Sequence, residues 1–183
     1  MRSIKNKIAT GLLGLFLLCF ISSCLTQKEK IEQNVELQKI ITQKKFRFVA
    51  TSAQPQRTNY FFPFSNYNLV LNPMITQNLN GYYSLSINND TLNCHLPYFG
   101  VVNQSIAYNS ADQGIKFTSS DFSYEQKQNS NGNYSITIVP KEKQRANKLY
   151  LNVSADGFAS LNIIFNDRDG ILFYGNIQAI EKN

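Results

Sequence analysis

The segment Leu149 to Phe165 leaves the least freedom to the fold. Leu149, Leu151 and Val153 alternate with Tyr150, Asn152 and Ser154, and Ala159, Leu161, Ile163 and Phe165 alternate on the way back. Successive side chains of a strand point to opposite faces, so each half has one apolar and one polar face. Asp156-Gly157 stands between them, a pair suited to the positive φ of a tight hairpin turn. A lone hairpin is barely stable in water, so the apolar face needs more strands beside it. The chain therefore contains a sheet.

The same signals recur upstream. Phe46, Phe48 and Ala50 share one face of a strand. Tyr82–Asn88 and Thr91–Leu96 flank an Asn89-Asp90 turn, Gly114–Thr118 and Asp121–Lys127 follow, and Asn131-Gly132 leads into Asn133–Val139. Asn166 to Gly170 turns the chain into Ile171–Ala179. Between Gln54 and Asn80, Pro55, Pro63 and Pro73 interrupt the pattern, leaving one short strand over Asn68–Leu71. Leu37, Ile40 and Ile41 fall at helical spacing and predict a short N-terminal helix. The expected fold is all-β: an antiparallel β-sandwich or barrel-like domain of about eight strands. Both closures remain open. The 13 Phe and 10 Tyr supply its core and exclude a disordered chain.

The N-terminus carries an address. Arg2, Lys5 and Lys7 precede an apolar run from Ile8 to Ile21, which ends at Ser22-Ser23-Cys24. That is the layout of an export signal, and its apolar run is too short to span a bilayer. Ile21-Ser22-Ser23-Cys24 resembles the bacterial lipobox, in which the Cys thiol receives a diacylglyceryl group and the chain is cut before it. The expected organisation is a signal peptide over 1–23, a lipidated tether over 24–36 and one β domain with its helix over 37–183. Cleavage would leave 160 of the 183 residues and, by removing three basic ones, lower the net charge from +6 to +3. Acyl chains such as palmitate on Cys24 would hold the protein on a membrane. Nucleic acid is not an expected partner, because the exported chain has no basic stripe.

Leu96-Pro97-Tyr98-Phe99-Gly100, Gly114-Ile115-Lys116-Phe117, Asp156-Gly157-Phe158-Ala159 and Phe173-Tyr174-Gly175-Asn176-Ile177 together resemble domain-of-unknown-function family 4251, found in Gram-negative envelope proteins. The resemblance covers roughly Leu37 to Ala179. It implies an envelope location, at the periplasmic face or the cell surface, and carries no catalytic residues. In physical terms, Pro97 ends a strand and Gly100 permits a bend, so Tyr98 and Phe99 form an aromatic corner. That corner is either a plug or a ligand mouth.

Groups able to do chemistry are few. His95 is the only imidazole, and alternation puts Leu92, Cys94 and Leu96 inward and Thr91, Asn93 and His95 outward. A Cys94–His95 dyad is therefore disfavoured. There is no Gly-x-Ser-x-Gly elbow and no phosphate-binding glycine loop. Asp167-Arg168-Asp169-Gly170 lacks the oxygen ligands of a calcium loop and reads as a plain charged hairpin turn. No metal or cofactor is expected. Tyr60, Phe61, Phe62 and Phe64 concentrate four rings in five residues, with Arg57 nearby; they form either a lid over the sheet or a contact surface. Asp90-Thr91-Leu92 resembles a short O-glycosylation acceptor, making Thr91 a candidate. The functional expectation is a lipid-anchored envelope protein whose β domain is a binding or structural module for an apolar or glycan ligand or an envelope protein. The alternative is an enzyme with an unrecognised site in a barrel-like pocket.

Overall fold

A computed structural model describes residues 34–56, 76–99, 114–141 and 146–180. A helix, α1 (residues 34–42), leads into nine strands. These are β1 (Lys45–Gln56), β2 (Gln77–Asn88), β3 (Thr91–Leu96), β4 (Ile115–Ser119), β5 (Phe122–Gln128), β6 (Tyr134–Pro140), β7 (Ala146–Val153), β8 (Phe158–Phe165) and β9 (Gly170–Ala179). They form one sheet in the order β4-β3-β2-β1-β9-β8-β7-β6-β5, with every neighbouring pair antiparallel.

The order decides between sandwich and barrel. Eight antiparallel steps separate β4 from β5, so the two run in the same direction. Only Ser120 and Asp121 separate them, and no ladder joins them. Residues 115–128 therefore act as one kinked strand whose first part pairs with β3 and whose second part pairs with β6. This shared strand nearly closes the sheet into an up-and-down barrel of eight extended passes, in keeping with the strand count expected from the sequence.

The hairpins fall where the turn residues predict them. Asn89 has φ 53°, Gly132 φ 81° and Gly157 φ 86°, each at the turn its dipeptide signals. β1 differs from expectation, because it runs on through Pro55 into the stretch from Gln54 that the sequence pattern leaves irregular. Its register shifts between Ala50 and Ser52 against both neighbours. The buried set consequently passes from Phe46, Phe48 and Ala50 to Ala53 and Pro55, a change of parity that hides the strand from an alternation reading. Pro55 is tolerated because β2 pairs with β1 only as far as Ala53, leaving β9 as the one partner there. The Asn68–Leu71 strand expected from the sequence lies outside the described residues.

Inward-facing side chains of all strands and of α1 join one core that includes Leu37, Ile41, Phe46, Phe48, Leu85 and Phe173. Lys44, at φ 52°, turns the chain from α1 into β1, and its carbonyl accepts a hydrogen bond from Asn89 N at 2.9 Å. This fixes α1 at the barrel end that carries the β2–β3 turn. The register places the β5–β6 and β7–β8 turns at the same end, and Leu96–Phe99 and the β8–β9 turn at the other.

Candidate functional site

The inside of the barrel is committed to packing. Phe46, Phe48, Leu85, Ile87, Leu92, Leu149, Leu161 and Phe173 are fully buried. Cys94 is among the buried residues, and desolvation pushes its thiol well above the ordinary cysteine range. A protonated, enclosed thiol is a poor nucleophile. Chemistry among the described residues therefore belongs to the outer wall and the two ends.

On the wall, the β2–β3–β4 register lines up polar side chains in two rows. Ser84 stands opposite His95 and His95 opposite Lys116; one step along, Ser86 faces Asn93 and Asn93 faces Thr118. The rows bound a shallow groove of about 460 Å³. Thr118 Oγ1 donates to Asn93 Oδ1 at 2.7 Å, and the His95 and Tyr83 rings lie 5.8 Å apart at 59°. Cys94 contributes to the floor while its side chain packs inside, so the strand separates thiol from imidazole. The arrangement offers hydroxyls, a carboxamide, an imidazole and one ammonium to a ligand lying across the strands. No group of three or more His, Cys, Asp or Glu able to hold a metal occurs among the described residues.

At the far end, residues distant in sequence meet at a corner. The Tyr98 hydroxyl donates to the Asp169 carbonyl at 2.9 Å, and the Tyr98 ring meets Phe165 edge-on at 5.5 Å. The Arg168 guanidinium lies 4.9 Å from the Tyr98 centroid and 5.5 Å from that of Phe165, a geometry suited to cation–π attraction. Its Nε and Nη2 donate to Asp167 Oδ1 and Oδ2, both at 3.3 Å. Burial pushes the Tyr98 phenol up, against the pull of the Arg168 charge. The Asp167–Gly170 segment is thus not the plain charged turn expected from the sequence. Arg168 and Asp169 are each only 7% exposed, and Asp169 Oδ2 is buried without a hydrogen-bond partner. Rings supplied by Tyr98 and Phe165 cover the guanidinium, which a reading of the turn alone does not reveal.

Comparison with known proteins bears on this constellation of strands and corner residues. A family described as a domain of unknown function, DUF4251, matches residues 28–177. The chain belongs to the DUF4251 family. The DUF4251 fold here is similar to the crystal structure of a DUF4251 family protein from Bacteroides eggerthii DSM 20697. The TM-score is 0.52 at 10% identity, over 80% of this chain and 87% of the other. No curated protein matches the chain.

Within this DUF4251 domain, Tyr98 and Phe99 are half-buried and pack against the core. Thr91 opens β3, half-buried, opposite Asn88. The other sequence candidates, Cys24, Tyr60, Phe61, Phe62 and Phe64, lie outside the described residues, as does the segment 1–23 expected to be a signal peptide. Phe158, part of the Asp156-Gly157-Phe158-Ala159 block, is not among the contact candidates expected from the sequence. It lies one position from the inward Ala159, so alternation alone places this aromatic ring on the polar face.

Proposed function

We propose that the chain is a lipid-anchored cell-envelope protein of a Gram-negative bacterium, and that its β domain is a binding module working through the outer wall of the barrel. One observation carries the binding role: the inward side chains are spent on the core, whereas the convergent hydrogen-bonding side chains stand outside, across β2, β3 and β4. A site of that kind recognises a surface or an extended ligand and does not enclose a small one. The Ile21-Ser22-Ser23-Cys24 motif supports the anchor and the address. Lipid on Cys24 makes the membrane itself the first partner.

Each half of the reading has its own experiment. Cys24→Ala in the full chain is expected to move the protein from the membrane pellet to the soluble fraction; a variant that stays in the pellet refutes the anchor. A photo-crosslinking residue at Thr118 in intact cells is expected to give a discrete adduct that Lys116→Glu abolishes. A correctly localised protein giving no such adduct refutes the binding role of this wall.

A further inference from the structure

A second groove, on the opposite wall near the α1 end, has different chemistry. It measures about 270 Å³ and draws on the β5–β6 turn, the end of β7 and the start of β8. Register brings its parts together: Ser135 stands opposite Asn152, and Asn152 opposite Ser160. Beside them Phe158, 47% exposed, stacks on Tyr174 with centroids 6.2 Å apart and planes 17° from parallel. One side of the ring is thus backed by Tyr174, and about half of it stays open on an otherwise polar face.

The asparagines around the ring are held in one orientation. Asn129 Oδ1 accepts from Asn131 N at 3.2 Å and Asn133 N at 3.0 Å. Asn133 Oδ1 accepts from Ala155 N at 3.1 Å, and Asn152 Oδ1 from Ser135 Oγ at 3.1 Å. Each carboxamide oxygen is thereby used inside the protein, and each amide NH2 group, with its two donors, is left for another partner. None of the residues lining the groove carries a formal charge.

We infer that this groove binds a neutral glycan. It offers three pre-oriented amide NH2 groups, hydroxyls and a flat apolar ring, and no lining residue is charged; the neighbouring Asp156 carboxylate accepts from Ser154 Oγ and Phe158 N. A sugar ring matches that set, with many oxygen acceptors at its rim and an apolar C–H face to lie on Phe158. An extended peptide is a poorer match, because the strands spend their backbone donors on each other here and offer no free edge. The groove is slightly smaller than pockets that enclose a drug-sized ligand, so it holds about one sugar unit while the rest of the chain runs along the wall. The inference goes beyond the role proposed for the β2–β3–β4 wall, because the two grooves share no residue.

The test uses the full chain in a polyoxyethylene detergent, which has no sugar headgroup. Malto-, cello-, xylo-, manno- and laminari-hexaose are titrated by calorimetry and by saturation-transfer NMR, with hexagalacturonate and purified peptidoglycan sacculi as further probes. At least one neutral hexasaccharide is expected to bind with a roughly millimolar Kd. Phe158→Ala is expected to weaken that binding about tenfold or more and Asn152→Ala about threefold, whereas Phe158→Tyr and the exposed Glu125→Ala on β5, outside both grooves, leave it unchanged. Circular dichroism and the melting temperature verify the fold of each variant. Wild-type affinity in Phe158→Ala overturns the inference, as does silence from all five neutral sugars. If the neutral sugars are silent but hexagalacturonate or sacculi are retained, the inference fails and the binding module stands. If every probe is silent, the inference fails, and the Thr118 crosslink decides the binding role of the β2–β3–β4 wall separately.

Discussion

Replacing Tyr98 by alanine tests whether the corner at the far end of the barrel holds the fold together. Three interactions are lost at once. The hydroxyl bond to the Asp169 carbonyl at 2.9 Å contributes about 1 kcal/mol. The edge contact with Phe165 at 5.5 Å adds about 1 kcal/mol. The guanidinium of Arg168, 4.9 Å from the ring and almost fully buried, adds about 1 kcal/mol more. The ring is half-buried, so the further loss of apolar cover is modest, and the expected cost of Tyr98→Ala is about 3 kcal/mol. Tyr98→Phe keeps both ring contacts and should cost only about 1 kcal/mol. In a domain of this size those figures correspond to falls in Tm of roughly 10 °C and 3 °C. Urea and thermal unfolding followed by circular dichroism measure both variants, and an Arg168→Met background isolates the ring–cation coupling in a double-mutant cycle. If Tyr98→Ala unfolds within about 0.5 kcal/mol of wild type, the corner is ornamental and the reasoning fails.

Two other outcomes follow from the core. A Cβ added at Gly175 would come within 2.8 Å of the Val49 carbonyl carbon and 3.0 Å of Ala50 Cα, both backbone atoms of β1. Gly175→Ala should therefore cost about 3 kcal/mol, and an unchanged urea midpoint would show that β1 and β9 separate easily. Buried Cys94 keeps its proton in the fold, whereas an unfolded thiol ionises near pH 8.5. Above that pH the unfolded chain binds fewer protons than the native one, so stability falls as pH rises, by about 1.4 kcal/mol per unit from this group. Cys94→Ala should flatten the slope between about pH 8.5 and 9.5, before the raised phenols of Tyr98 and Tyr124 begin to contribute near pH 10; an unaltered slope would exclude the thiol as its source.

What the sequence revealed, and what it hid, divides by range. Hairpins built on Asn89-Asp90, Asn131-Gly132 and Asp156-Gly157 were legible because turn chemistry and alternation are local. The inward Cys94 and outward His95 followed from the same period of two. The second half of β1 was hidden because the shift after Ala50 reverses the parity of its buried side chains. Closure was hidden too, since β1 meets β9 across nearly the whole domain and the shared strand breaks its own pattern at Ser120-Asp121. Burial of Arg168 depends on Tyr98, brought from a distant hairpin, and no local rule links the two. The Phe158 groove combines three neighbouring strands with two turns, so its neutral donors converge only once the register is known.

The kinked strand that completes the barrel also shapes how the protein can reach its native state. Every ladder but one joins strands that are consecutive in the chain, so β1–β4 and β5–β9 can each form as a meander from short-range contacts. Residues 115–128 belong to both meanders and align one on the other as they form. The exception is the β1–β9 seam, where Phe46 pairs with Ala179. Closing a loop of about 130 residues costs roughly 2 kcal/mol more chain entropy than closing a hairpin of about ten. The seam is therefore the last ladder to zip, and strain placed at Gly175 should hasten unfolding while leaving the folding rate almost untouched.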